Sequence, residues 1–257
     1  MNTVAEFVPT NKEATVGSQW LQLSSNWSAA AASRRQADPF CCSPAWQLSY
    51  HHAFGPGRRL LIREGANSMV AFAERTVSGS TCLYPVEDAW QFGCPLLGDQ
   101  SIDLFDDMLI DVEKHYGPRF PTFVISGVRP RGLLYKNMLK RFGQKFNFRR
   151  RRLGSQCSAS LAGGLDGYLE KRSSNFRRNL RKQTRRTLEG GVVLERRSPT
   201  SDQEVDEIYA RMISVELASW KGVGRCGMAE PGPRRFYEIM MQYLAATGDA
   251  RVIFAKH

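Results

Sequence analysis

The chain has 257 residues, 42% of them hydrophobic and 24% charged, with a formal net charge of +11 at pH 7. That balance excludes an intrinsically disordered chain, and the length accommodates two domains of ordinary size. No run of about 18 apolar residues exists, so nothing reads as a membrane-spanning helix. No apolar leader follows the N-terminal acids Glu6 and Glu13, so no secretory signal is read.

The positive charge is local. Of the 36 Lys and Arg, sixteen lie between Lys136 and Arg186, against two acids there, Asp166 and Glu170. The rest of the chain is slightly acidic. Basicity confined in this way points to a local site or a junction, not to a protein that coats nucleic acid along its length. The six cysteines form no C-x-x-C pair, and Cys41 and Cys42 are adjacent. This spacing suits neither a zinc site nor a disulfide framework, and it reads as reduced thiols of a cytoplasmic protein. His51 and His52 point about 100° apart on a helix, so no metal is expected there.

Residues 1–37 lack pattern and are expected to be a loose lead-in. Ser43-Pro44 opens a predicted helix to about Phe54 that buries Trp46, Tyr50 and Phe54, and Gly55-Pro56-Gly57 stops it. Three short strands follow at 58–64, 68–76 and 80–86, the first two joined by a hairpin at Gly65-Ala66-Asn67. After an irregular loop at 88–100, Ile102, Phe105, Met108, Leu109, Val112 and Tyr116 keep helical spacing up to Gly117-Pro118. A strand buried on both faces is predicted at 120–128. A helix at 131–142 comes next, and then a last strand through Phe146 and Phe148 into Arg149–Arg152. These elements make one α/β unit over 38–152.

The second unit, 153–257, begins with a glycine-containing linker and a strongly basic helix. Leu169, Ser173, Phe176, Leu180 and Thr187 form a thin apolar seam. Arg177, Arg181 and Arg185 make one neighbouring cationic row, and Arg178, Lys182 and Arg186 the next. A strand at 191–196 follows. Ser201-x-x-Glu204 is a capping box for a helix with Val205, Ile208, Tyr209, Met212 and Leu217 inward. Pro233 begins another helix with Phe236, Ile239, Met240, Tyr243 and Leu244 inward, closed by Gly248. The chain then enters a strand of Val252, Ile253 and Phe254.

No nucleophile elbow, P-loop, H-E-x-x-H or dinucleotide fingerprint is present. A family likeness does emerge from several segments in order. They are Ser173 with Arg177-Arg178-Asn179-Leu180-Arg181 and Arg185-Arg186-Thr187-Leu188, then Gly191-Val192. Ala218-Ser219-Trp220-Lys221-Gly222 follows, with Arg235-Phe236-Tyr237 and Arg251-Val252-Ile253 last. This run resembles the GNAT-type acyltransferase domain of the CelD-like family of cellulose biosynthesis, itself similar to the FemAB peptidoglycan-bridge enzymes. The likeness is best over 158–257.

The resemblance implies an α/β fold of tandem GNAT-like units, the first complete and the second truncated. It implies acyl transfer from a thioester donor, acetyl-CoA or another acyl-CoA, to an amine or hydroxyl acceptor, in polysaccharide or cell-envelope biosynthesis, without a metal. Such chemistry needs splayed strands that expose backbone N–H groups to the thioester oxygen, and a helix N-terminus for the pyrophosphate. The pyrophosphate loop has the form R/Q-x-x-G-x-G/A. Only partial copies occur, at Arg129-Pro130-Arg131-Gly132 and Arg151-Arg152-Leu153-Gly154, and neither lies where the donor would need it. In the first unit that place is the 93–99 loop, which lacks the motif. In the second it would lie beyond His257, so the chain reads as a fragment with impaired activity. Arg177 and Arg181 are expected to line an anionic acceptor or the domain junction, and Trp220 and Lys221 to border the acceptor cleft. No catalytic residue is singled out. The competing arrangement is a core Trp220 with solvated arginines. The alternative function is a nucleic-acid-binding module using Lys136–Arg186, although the basic helix lacks exposed aromatics for base stacking.

Overall fold

A computed structural model of the chain describes residues 4–7, 18–33, 38–151, 154, 157 and 159–257. The lead-in is partly built: strand β1 (Val4–Phe7) pairs antiparallel with β2 (Leu60–Gly65), and helix α1 (Ser18–Ala31) follows. Trp27, Ala30 and Ala31 are buried in the main core, and the Trp27 indole donates to the Cys42 carbonyl at 2.8 Å. The loose lead-in expected over 1–37 therefore does not hold for these stretches. Burial of the Trp27 ring, with Ala30 and Ala31 beside it, fixes this helix against the main core.

Helix α2 (Pro44–Phe54) starts with proline in its first turn, as Ser43-Pro44 predicts. Strands β2, β3 (Ser68–Val77) and β4 (Ser80–Pro85) form an antiparallel meander. Two-residue turns join them: Asn67 has φ +52° in the first, and Ser78 and Gly79 have φ +49° and +79° in the second. Positive φ at such positions gives the turn the twist of the strands it links. From Ser68 to Ala73 every residue of β3 is buried, so both sheet faces are covered there. Helix α3 (Ser101–Tyr116) lies on the Phe72 face, where Phe72 meets Phe105 with ring centres 5.8 Å apart.

The chain leaves β4 at Pro85 and returns as the two-residue β5 (Leu96–Leu97), which pairs with the first part of β3. After α3, β6 (Thr122–Phe123) pairs in parallel with β4. The long, doubly buried strand expected at 120–128 is thus only two residues, with Thr122 exposed and Phe123 half-buried. It is the sheet's last strand, and its far edge meets no other strand among the described residues. Helix α4 (Leu133–Phe142) buries Met138 and Phe142. No strand forms at 146–151: Phe146 packs on the core with Phe142 and Phe123, while Phe148 is exposed.

The C-terminal part holds α5 (Gly164–Glu170), α6 (Ser174–Glu189), β7 (Val193–Arg197), α7 (Asp202–Leu217), α8 (Trp220–Gly224), α9 (Pro231–Ala246) and β8 (Val252–Lys256). Strands β7 and β8 form a two-stranded antiparallel sheet with Glu195 opposite Phe254. Lys256, Arg211 and Arg197 all bind the Glu195 carboxylate and hold it down to about 2. The Arg211 guanidinium also covers the Phe254 ring at 3.7 Å.

Helix α9 has two buried faces. Ile239 and Tyr243 belong to the core of the N-terminal part, whereas Met241 and Ala245 join Val205, Ile208, Tyr209 and Phe254 in a second core. Phe236, fully buried, sits among Trp46, Trp90, Phe54, Tyr50 and Tyr237. An aromatic cluster therefore ties α9 to α2.

Candidate functional site

The first place to look for acyl-transfer geometry is where β4 and β6 part. They pair only at Cys82 with Thr122 and at Leu83 with Phe123, and the Val124 amide makes the last bond, to the Leu83 carbonyl. Beyond that point β4 stays with β3 while the other segment diverges. The gap is filled by the chain's own loop. Ser126 Oγ donates to the Gly93 carbonyl at 2.6 Å, and a Cβ on Gly127 (φ +64°) would lie 2.7 Å from Gly93 backbone atoms. Glycine at 93 and 127 lets the two backbones touch there.

Two buried carboxylates shape that loop. Glu87, with 0% of its surface exposed, accepts from the backbone N–H groups of Trp90, Gln91 and Phe92, and its own N–H donates to Gln47. Asp88 accepts from the Tyr50 hydroxyl and from Arg58 and Arg75. Burial pushes Asp88 up, but these three donors outweigh it and hold its carboxyl below the usual range. Both carboxylates are spent on structure. Burial also raises Cys41 to about 12 and Cys42 to about 11, which keeps these thiols protonated and poor nucleophiles.

The N-terminus of α3 is equally closed. Ser68 Oγ accepts from the Gln100 N–H, and a Cβ on Gly98 (φ +79°) would lie 2.1 Å from the Asn67 carbonyl. The Arg129-Pro130-Arg131-Gly132 segment lies between a strand and a helix, β6 and α4. Arg152 and Leu153 of the second partial motif lie outside the described residues.

The second place is the turn from α7 into α8. The apolar stripe of α7 continues through Ile213 to Glu216, which is buried, while Leu217, expected inward, is exposed. Glu216 accepts from the Ala229 N–H at 3.1 Å and pairs with the Lys221 ammonium at 3.7 Å. A Cβ on Gly227 would lie 2.4 Å from the Glu216 carboxylate, so the 225–229 loop closes over it. Ser219 caps α8, and a Cβ on Gly222 would strike the Leu217 carbonyl at 2.2 Å. This packing sets Trp220 outward. It is 74% exposed, which overturns the core placement and leaves a bare indole beside a carboxylate-paired lysine.

The span from the start of α6 to the end of β8 is also where a likeness to known proteins falls. Residues 174–257 match the acetyltransferase (GNAT) domain family. No curated protein and no solved structure matches the chain.

Within this GNAT-matched span, the four residues expected at the site separate into two groups. Trp220 and Lys221 sit together on α8. Arg177 turns back from α6 to donate to the carbonyls of Leu169, Glu170 and Arg172, which ties α6 to the end of α5. Arg181 is exposed and has no ion-pair partner among the described residues. No hydrogen bond, ion pair or ring contact among the described residues joins α6 to α8. Glu216 was missed, yet a carboxylate one turn after Met212 on an apolar stripe is a readable signal.

A thioester donor's pyrophosphate does not fit the helix starts of this span. Ser173 fills the first turn of α6, and Ser201 with Glu204 fills that of α7. Pro231 and Pro233 remove donors from α9, and its Gly232 packs on Phe54. No group of three or more His, Cys, Asp or Glu suited to a metal occurs among the described residues.

Proposed function

We propose that this chain is part of a GNAT-type acyltransferase that carries an acyl group from acetyl-CoA or another acyl-CoA to an amine or hydroxyl acceptor, in the manner of the CelD-like and FemAB-like enzymes of polysaccharide and cell-envelope synthesis. The observation that carries the reading is the match of the acetyltransferase domain to residues 174–257, whose limits coincide with the elements α6 to β8.

In this reading the N-terminal unit is a GNAT-like partner without a donor site, and α6 to β8 form the front part of the catalytic unit. Its support is the open state of the small sheet. Val193, Leu194 and Ile253 are all more than half exposed on β7 and β8, an apolar surface that two strands alone cannot bury. Trp220 and Lys221 border the acceptor, Arg181 faces its anionic portion, and Arg177 serves the junction between α5 and α6. The chain alone is then a weak catalyst, because donor-binding strands are not among its described elements.

The test is thiol release from acetyl-CoA, with amine and hydroxyl acceptors offered in turn. This chain is expected to release little above the blank, and a longer protein carrying the same domain uninterrupted is expected to turn over. In that longer protein Trp220→Ala and Lys221→Met should each lower turnover at least tenfold, and unchanged turnover would remove them from the site. Brisk turnover by residues 1–257 alone would sink the front-part reading while leaving acyl transfer standing. No thiol release by the longer protein with any acceptor would sink acyl transfer itself.

A further inference from the structure

Beside the residues that lead into β2 and the later part of β3 lies a pocket of about 450 Å3 whose walls include Arg58, Arg59, Arg75, Glu74, Thr76 and His115. It has no apolar side chain in its lining. Three guanidinium groups converge there for reasons that the fold explains. Arg58 and Arg75 both bind the same oxygen of Asp88, at 3.0 and 2.7 Å, and Tyr50 takes the other oxygen at 2.7 Å. A single buried carboxylate therefore holds two cations side by side and neutralises only one of them. Arg59, just before β2, donates to His115 Nε2 at 2.6 Å. The only acid in the lining, Glu74, is engaged by the Tyr116 hydroxyl at 2.5 Å.

A second pocket of about 440 Å3 adjoins this one and shares Arg59 and His115 with it. Its walls differ in character: Leu61, Met108 and Val112 supply apolar surface between β2 and α3, with Asp111 and Lys114 also lining it. Arg63 at this end is already paired with Asp107 and Asp111. The two pockets therefore flank the hydrogen-bonded Arg59–His115 pair, one cationic and the other partly apolar. Each compartment falls within the size range of small-molecule sites.

We propose that these two adjoining pockets together bind a phosphate monoester of a partly apolar alcohol, with the phosphate against Arg58, Arg59 and Arg75 and the organic group against Leu61, Met108 and Val112. Planar guanidinium forks match the oxygens of a phosphate and bind it in pairs of parallel hydrogen bonds. The phosphate supplies a negative charge for the cation that Asp88 leaves unbalanced, and its oxygens accept the hydrogen bond that Arg59 otherwise gives to His115. The site is separate from α8 and does not depend on acyl transfer.

The experiment is calorimetric titration of the full chain with inorganic phosphate, phenyl phosphate and benzoate, on the native protein and on Arg59→Gln, Arg75→Gln and Arg181→Gln. Phenyl phosphate is expected to bind at least tenfold more tightly than either inorganic phosphate or benzoate. Arg59→Gln and Arg75→Gln should each weaken it tenfold or more, and Arg181→Gln, on the distant basic helix, should not. Nuclear magnetic resonance of the native protein gives a second reading that no misfolded variant can spoil: phenyl phosphate should shift the ring protons of His115 and leave those of His257, after β8, in place. The proposal is overturned if phenyl phosphate binds no tighter than phosphate or no tighter than benzoate, if Arg181→Gln weakens it as much as Arg59→Gln, or if the His115 signals do not move.

Discussion

Replacing Phe236 by alanine tests whether α9 binds the two parts of the chain together. The side chain is fully buried and meets five aromatic rings, with Trp46 and Tyr237 centred 5.0 Å away, Trp90 at 5.5 Å, Phe54 at 6.2 Å and Tyr50 at 6.5 Å. A buried Phe→Ala change costs about 3–5 kcal/mol through lost transfer energy and the cavity left behind. Edge-on ring contacts add to area burial, which places this site toward the upper half, about 4 kcal/mol. With a urea slope of about 3 kcal/mol per molar, suited to a chain of this length, the midpoint falls by more than 1 M. Tryptophan fluorescence is the natural probe, since Trp46 and Trp90 both touch the deleted ring. Leu217→Ala on α7, more than half exposed, is the control and should change stability by less than about 0.5 kcal/mol. A Phe236→Ala protein with an unchanged midpoint and unchanged tryptophan emission would refute the docking of α9 on α2.

Two further outcomes follow from buried polar groups. The Tyr243 hydroxyl is buried without a hydrogen-bond partner among the described residues, and burial raises it to about 12. Tyr243→Phe should therefore leave stability unchanged or raise it by about 1 kcal/mol in the same urea assay, and a clear loss would mean that the hydroxyl is paired. Burial first, then His52 and Arg58, lower His51 to about 4 from an ordinary 6.5. The folded state then takes up this proton less readily than the unfolded state. The His51 penalty is absent above about pH 6.5, grows as pH falls, and levels off below about pH 4 at about 3 kcal/mol. His51→Asn should flatten the stability profile across that window; an identical slope in both proteins would refute the assignment.

Much of the fold could be read where one local signal decides. Pro44 opens α2, the spacing of Ile102 to Val112 gives α3, and Ser201 caps α7 by accepting from the Glu204 N–H. The errors fall where tertiary contact decides. Trp27 makes α1 part of the core although its neighbours are serine, asparagine and alanine, because its ring packs there together with the small Ala30 and Ala31 one turn on. The apolar run at 120–128 reads as a buried strand, yet only Thr122 and Phe123 pair, and Ser126 and Gly127 turn to meet Gly93. Nothing within nine residues reports a partner more than thirty positions away.

The sites differ in the same way. A carboxylate followed by its fellow, as in Glu87-Asp88, reads as solvated loop charge until the three backbone N–H groups and two arginines that surround the pair are known. Trp220 gives the opposite lesson. Its size argues for a core, but Ser219 and Gly222 pin α8 against the end of α7 and turn the indole out. Glu216 explains why that turn is held: it engages Lys221 on one side and the 225–229 loop on the other, so an exposed indole and a paired ammonium are fixed side by side. On the basic helix, by contrast, Arg177 is committed to carbonyls of α5 and Arg181 is bare, so one sequence row carries two different roles. The spacing of charges identifies a face. The partner of each charge decides what that face can do.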